Sequence, residues 1–205
     1  MVLSMRITQA SGYEEPRDSI SQDWIELIQT WGMAPFLLPN GLADPAGYLD
    51  AFAPDLLILT GGDGPGLDTS RDRTERSILE YAAARNTPVL GVCRGLQAIN
   101  LHFGGSLGQV RGHVAVHHAL NFTGSFSDLY GADTTVNSFH ESAVPGDGLA
   151  SNLVAAGVDA DGNIEALHHS TLPMAAVMWH PERPGSPIAD RALVDQLVEK
   201  GAFWH

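Results

Sequence analysis

The chain has 205 residues and a formal net charge of −13, from 11 Lys+Arg against 24 Asp+Glu; this length predicts one domain over residues 1–205, with a core large enough to need no disulfide or metal. The acidic balance, with a sequence pI near 4.9, excludes the electrostatic footprint of a protein that grips duplex nucleic acid or an anionic membrane. No apolar run approaches the ~20 residues of a membrane-crossing helix and no signal-peptide core is visible, so with Cys93 as the single cysteine the expectation is a reducing, cytoplasmic setting in which the Asn121-Phe122-Thr123 sequon is a chance match.

Gly and Pro are spread along the chain, and no linker, repeat or low-complexity tract divides it. Residues 5–10 read as a short strand. Asp18 or Ser19 is the expected cap of a helix whose apolar positions Ile20, Trp24, Leu27, Ile28 and Trp31 follow the 3.6-residue period. Residues 35–38 read as a second strand, and Asp44-Pro45 carries the cap-plus-proline signature of another helix start. Leu56-Leu57-Ile58-Leu59 is continuously apolar, as a strand covered on both faces is, and ends in Thr60-Gly61-Gly62-Asp63-Gly64. A charged helix over 71–85 comes next, then a buried strand at 88–92 and a helix over 94–103 stopped by Gly104-Gly105. The second half breaks into shorter β-type pieces: one at 133–139, two flanking the turn at Asp159-Ala160-Asp161-Gly162, and an apolar strand over 174–179. A helix over 188–199, with Leu193, Leu197 and Val198 inward, closes the chain. Repeated β–α units imply an α/β three-layer sandwich with a mostly parallel central sheet, and the later half a small mixed or antiparallel extension.

Three places carry candidate chemistry. Gly91-Val92-Cys93-Arg94-Gly95 sits where a buried strand meets a helix, the small–x–nucleophile–x–small pattern of a nucleophile elbow. Such a turn holds the central residue in a strained backbone and presents its sulfur at a helix N-terminus, where the dipole favours thiolate. The alternative is a buried, inert cysteine. In His180-Pro181-Glu182, side chains two apart in an extended segment point the same way, so the carboxylate can fix the imidazole's tautomer while its other nitrogen faces a nucleophile. The alternative is a surface His and Glu at a strand end. Thr60-Gly61-Gly62 ends the other buried strand with backbone N–H groups open to close approach, suited to an oxyanion hole completed by the amide after Cys93. An ordinary loop or a weakly matching phosphate loop competes with this.

In this order the three elements resemble the class I glutamine amidotransferase-like family. The resemblance rests on Leu59-Thr60-Gly61-Gly62, on Gly91-Val92-Cys93-Arg94-Gly95-Leu96-Gln97, on Val136-Asn137-Ser138-Phe139-His140 and on His180-Pro181-Glu182, and it spans nearly the whole chain. It implies the flavodoxin-like sandwich of that family and a Cys93–His180–Glu182 triad. The triad would attack a γ-glutamyl carbonyl, form a thioester and release glutamate with water. It also implies that Gly62 and Arg94 supply oxyanion amides, with Gly61 in the same loop, and that Gln97 contacts the glutamyl portion. Asn137, Ser138 and His140 would lie in the segment lining the substrate pocket. Gln97 as a surface polar residue and His140 as a structural histidine are the competing assignments, and Phe139 reads as packing. Glu141 departs from the bulkier or amide residue expected after that histidine. Arg94 and the Val-Asn-Ser-Phe-His segment look like the γ-glutamyl hydrolase branch, whose members act alone. The opening Arg6-Ile7-Thr8-Gln9 and the Asp23-Trp24 helix are similar to the bacterial γ-glutamyl-CDP-amidate hydrolases, which release glutamate and cytidine diphosphoramidate in capsule phosphoramidate synthesis.

The implied partner is a small γ-glutamyl substrate, with no nucleic acid, no membrane and no cofactor, and with room for a homodimer. A diphosphate leaving group calls for cations, for which Arg17, Arg71, Arg73, Arg94 and Arg183 are candidates. His113, His117 and His118, with His168 and His169, invite a metal reading, but no carboxylate or cysteine accompanies them at a recognisable spacing, so no metal is expected. Two other functions compete: a glutaminase subunit passing ammonia to a separate synthetase, and a degenerate binding protein, against which the intact Cys93, His180 and Glu182 argue.

Overall fold

The computed structural model describes residues 1–67 and 69–205. In chain order they form β1 (Val2–Ser4), β2 (Arg6–Gln9), β3 (Pro16–Ser19), α1 (Gln22–Thr30), β4 (Phe36–Leu38), α2 (Pro45–Phe52), β5 (Leu57–Leu59), α3 (Thr69–Arg85), β6 (Val89–Val92) and α4 (Arg94–His102). Beyond these come β7 (Gly108–Gln109), β8 (Val114–Phe122), α5 (Gly124–Tyr130), β9 (Asp133–Phe139), β10 (Ser142–Pro145), β11 (Leu153–Val158), β12 (Asn163–His169), β13 (Met174–Val177) and α6 (Asp190–Lys200).

Eleven of the strands form one sheet, in the order β4-β1-β5-β6-β13-β12-β11-β8-β9, with β10 on β12 and β7 on β10. From β4 to β13 the pairing is parallel. From β13 to β9 it is antiparallel. The chemistry of the strands matches this division. β1, β5, β6 and β13 are buried along their whole length, and, Ser4 apart, their apolar runs are what a parallel sheet sandwiched between helices requires. β8 alternates in its exposure instead, with one face open to water. The α/β sandwich with an antiparallel extension is therefore the architecture, and none of the described helices is long and apolar enough to cross a membrane.

Local chemistry departs from the sequence expectation in three places. The first parallel strand is Val2–Ser4, in register with Leu57 and Ile58 on one side and Phe36 to Leu38 on the other, because Val2 and Leu3 are the residues that bury. The predicted strand at 5–10 is a separate element, which pairs with Pro16–Ser19 as a two-stranded hairpin outside the main sheet. Asp18 and Ser19 belong to that hairpin, so α1 is capped by Ser21, whose Oγ accepts from the Asp23 N–H, while Asp18 instead accepts from the backbone and side chain of Asn40. The last helix starts at Asp190 and not at Ile188, which is almost wholly exposed. Asp44 caps α2 as expected, accepting from the Gly47 N–H at 2.9 Å with Pro45 in the first turn.

The order β5-β6-β13 assembles the site. Three adjacent parallel strands release their C-terminal ends at one edge of the sheet, so Thr60, Cys93 and the segment after Val177 converge.

Candidate active site

Cys93 follows β6 and precedes α4, with φ +52° and ψ −100°. Its N–H donates to the Val177 carbonyl at 2.8 Å, so the β6–β13 ladder continues to the elbow itself and holds it there. Two glycines make the turn sterically accessible. A Cβ at Gly95 would run into the Leu59 carbonyl of the neighbouring strand, and one at Gly91 would stand 2.7 Å from Ile99 Cδ1 and 2.8 Å from the Gly95 carbonyl group. A non-glycine residue at positive φ stores on the order of 1–3 kcal/mol of strain, which the surrounding packing sustains.

The thiol does not sit in the electropositive, thiolate-favouring setting that a helix N-terminus suggests. Burial pushes its pKa up to about 12; a hydrogen bond from the Arg94 backbone N–H acts in the opposite direction, the Glu182 and Glu165 carboxylates reinforce the rise and Arg183 offsets part of it. With Cys93 only 4% exposed, desolvation outweighs the dipole.

His180 lies three residues past the last strand. Its Nδ1 is 2.7 Å from Glu182 Oε1, so Nδ1–H donates to the carboxylate and Nε2 is the nitrogen left to act as a base. Asn137, fully buried in β9, clamps the segment that carries this pair. Its Oδ1 accepts from the His180 N–H at 2.9 Å, and its Nδ2 donates to the His180 carbonyl at 3.0 Å and the Pro184 carbonyl at 3.2 Å. Gly61 lies against the imidazole: a Cβ there would be 2.7 Å from His180 Cε1. Phe139 meets the same ring edge-on, with centroids 5.7 Å apart, and Arg183 covers the face of Phe139 at 4.3 Å. Phe139 is thus part of the site's packing.

A buried ionic network supports the Thr60–Gly62 loop. Arg71 Nη2 donates to the carbonyls of Thr60 and Gly61 at 2.7 and 3.1 Å, and its Nε to Glu75 Oε1 at 2.8 Å. Arg94 donates through Nη1 to Glu75 Oε2 and through Nη2 to Asp72 Oδ1. Ser4 Oγ donates to Glu75 as well and accepts from the Thr60 N–H at 3.0 Å. Arg71, Glu75 and Arg94 are all nearly inaccessible, and burial brings even the Arg71 guanidinium down to about 10. Gly62 takes φ +142°, and a Cβ there would collide with Arg71 Nη1, so the loop, the arginine and the elbow fix one another. The sequence shows the α3 stretch as a charged helix; the i, i+4 spacing of Arg71 and Glu75 is the signal of their pairing, and the fold buries that pair.

A cleft of roughly 560 Å³ opens over the sulfur. Of the residues the sequence nominated, Gly62, Cys93, Gln97 and His140 line it, with Asp63 and Glu141 among their neighbours. Gln97 Nε2 donates to the Ser142 carbonyl at 2.9 Å and His140 Nδ1 to the same oxygen at 3.1 Å. Asn137 serves the His180 segment as described, and buried Ser138 donates to the His113 carbonyl at 2.8 Å. The side chain of Arg94 is committed to Glu75 and Asp72, so it is the Arg94 amide that faces the sulfur. None of the five arginines named as phosphate candidates lines the cleft. Arg71 and Arg94 border an adjoining recess of about 240 Å³, and Arg17 pairs with Glu15.

The histidines divide. The donor atoms of His113, His118, Asp159 and Glu165 lie within 4.8 Å of one another. The carboxylates that the local spacing lacks come from the β11–β12 hairpin. His117 instead abuts Gly185, His168 stacks on Trp204, and His169 accepts from the Thr171 and Leu172 amides.

Comparison with known proteins gives relatives for the chain and its fold. The family profile described as Peptidase C26 matches residues 2–182. A Mycobacterium tuberculosis protein provisionally named a glutamine amidotransferase is 33% identical over 91% of this chain and 69% of its own. The γ-glutamyl-CDP-amidate hydrolase of Campylobacter jejuni is 27% identical, covering 88% of each chain. Among solved structures, a Thermoplasma acidophilum protein provisionally named as one of the GMP synthase subunits superposes with a TM-score of 0.71 at 22% identity, over 96% of this chain and 91% of that one.

Proposed function

Because the chain belongs to the Peptidase C26 family of class I glutamine amidotransferase-like proteins, we propose that it is a hydrolase of γ-glutamyl amides that works alone through a thioester on Cys93. The observation that carries this reading is the 2.7 Å hydrogen bond from His180 to Glu182, in a segment that leaves the sheet beside the strand bearing Cys93. It supports an oriented base in the segment next to the strand that bears Cys93, a thiol whose pKa burial pushes up to about 12.

His180 Nε2 takes the Cys93 proton as Sγ attacks the γ-carbonyl carbon. The imidazolium so formed is stabilised by the Glu182 carboxylate that holds its Nδ1–H. The Gly62 and Arg94 amides receive the oxyanion. As the tetrahedral species collapses, the C–N bond breaks and the imidazolium passes its proton to the departing amine. Water, deprotonated by the same imidazole, then attacks the thioester carbonyl, and glutamate leaves as Sγ regains a proton. Asn137 is a positioning residue in this scheme, acting through the His180 backbone.

The leaving group is an amine, neutral or cationic. Among the described residues the lining of the cleft includes Asp63 and Glu141 and no arginine or lysine, a poor setting for a diphosphoryl group there, while Arg6 and Arg183 stand with Gly62, His180 and Glu182 in the neighbouring recess. Identity to the Campylobacter hydrolase favours the nucleotide substrate, and the adjoining recess does present Arg71 and Arg94, but Glu75 and Asp72 balance their charges.

Glutamate release from glutamine, simple γ-glutamyl amines and γ-glutamyl-CDP-amidate, measured side by side, tests both parts. Cys93→Ser and His180→Ala should each lower turnover by about 10³-fold or more, and Glu182→Gln by on the order of 10²–10⁴-fold. Substantial residual turnover in Cys93→Ser refutes the nucleophile assignment, preference for the nucleotide substrate refutes the amine, and activity that appears only with a synthetase present refutes independent action.

A further inference from the structure

Glu165 lies in β12 with no exposed surface, and among the described residues neither of its carboxylate oxygens has a well-aligned hydrogen-bond donor. Oε1 is 3.3 Å from His140 Nε2 and Oε2 is 3.5 Å from His118 Nε2, neither contact aligned as a hydrogen bond. His113 completes the group, with Nδ1 3.9 Å from Glu165 Oε1 and Nε2 3.6 Å from Asp159 Oδ2. The His113 ring centroid stands 4.8 Å from that of His118 and 4.9 Å from that of His140. Among the described residues, five buried polar atoms (His113 Nδ1, His118 Nε2, His140 Nε2 and both oxygens of Glu165) are therefore without an aligned hydrogen bond around the Glu165 carboxylate.

A buried carboxylate without donors is strongly unfavourable unless a cation accompanies it. The tautomer of His140 sharpens the problem. Its Nδ1 faces the Ser142 carbonyl and must carry a proton, so in the neutral ring Nε2 turns its lone pair toward Glu165. A lone pair facing a carboxylate repels it unless positive charge lies between or beside them.

We propose that His113, His118, Asp159 and Glu165 bind a divalent transition-metal ion of the zinc class. With metal–ligand bonds of about 2.0–2.1 Å, the edge of a tetrahedral site is about 3.4 Å, close to the 3.5 Å separating His118 from Glu165 and the 3.6 Å separating His113 from Asp159. Two imidazoles select zinc-type ions over Ca²⁺ and Mg²⁺, which prefer oxygen sets. The two carboxylates match the ion's charge. Asp159 is already held in place, since its Oδ1 accepts from the Asp161 and Asn163 amides at 2.9 and 2.8 Å and its Oδ2 from Asn163 Nδ2 at 2.8 Å. The ion joins the β11–β12 hairpin to β8, and His140, which packs against both His113 and Glu165, connects it to the wall of the cleft. It also neutralises the Glu165 charge, which otherwise disfavours the thiolate at Cys93.

Protein without an affinity tag, produced in zinc-containing medium and desalted, should retain one zinc per chain by plasma mass spectrometry. After chelation, cobalt(II) should reload one equivalent, give the intense visible bands of a four-coordinate ion and raise the melting temperature. His118→Gln and Asp159→Asn should each weaken cobalt binding by at least about tenfold, with circular dichroism confirming that both fold. Wild-type protein that holds well under one equivalent of zinc and gives no four-coordinate cobalt spectrum overturns the proposal. So does a cobalt spectrum unchanged in both variants, or a melting temperature indifferent to metal that falls as pH rises through the histidine range, which would assign the balancing charge to protons.

Discussion

Cys93 combines a positive φ with almost complete burial, and both features bear on its reactivity. The strained backbone places Sγ at the convergence of β5, β6 and β13, and burial holds it there as a thiol with a pKa near 12. The elbow pattern was readable in Gly91-Val92-Cys93-Arg94-Gly95, because two close backbone approaches demand those glycines. The protonation state was not readable, since it depends on how many apolar neighbours exclude water and on carboxylates at Glu182 and Glu165 far along the chain. Alkylation of the free enzyme by iodoacetamide should therefore accelerate about tenfold per pH unit through the neutral range, following the small thiolate fraction. A plateau below about pH 8 would instead mean a preformed thiolate–imidazolium pair.

The elements around the site are joined by a second buried acid. Asp190, in the first turn of α6, accepts from Trp179 Nε1 at 3.0 Å and from the Tyr130 hydroxyl at 2.9 Å, so one carboxylate ties α6 to α5 and to the segment leading into His180. Burial raises its pKa from 3.8 to about 7 despite both donors. Between those values the folded protein holds a proton that the unfolded chain has lost, so this group's stabilisation is full below about 3.8 and declines as pH rises toward 7. Asp190→Asn keeps the acceptor and removes the titration. Its melting temperature should fall less steeply than that of the wild type between about pH 4 and 7, and parallel slopes would show that Asp190 does not titrate there. At this scale the sequence was informative wherever burial and period coincide: the apolar runs of β5, β6 and β13 and the Asp44-Pro45 cap appear as read. It misplaced the first strand because Val2-Leu3-Ser4 is too short to show a period, and it missed the β2–β3 hairpin because strand pairing is set by register between segments, not within them.

For the whole molecule, sheet order converts separate motifs into one site. The parallel half ends the segments bearing Gly62, Cys93 and His180 at one edge of the sheet, and the antiparallel half carries Asn137, which holds the His180 backbone, and His140, which lines the cleft beside Cys93. Motifs that act through one local turn were legible in advance. The Arg71–Glu75–Arg94 network and the His113–Glu165 cluster were not, because each joins residues of different elements whose side chains look solvated until the fold buries them. The proposed γ-glutamyl thioester on Cys93 is open to hydroxylamine partitioning. Turnover of two γ-glutamyl substrates with different leaving amines, each in the presence of hydroxylamine, should give γ-glutamyl hydroxamate and glutamate in one common ratio, since both products then arise from the same acyl-enzyme, and both should vanish in Cys93→Ser. Glutamate formed without hydroxamate, or a ratio that changes with the leaving amine, would contradict a shared thioester.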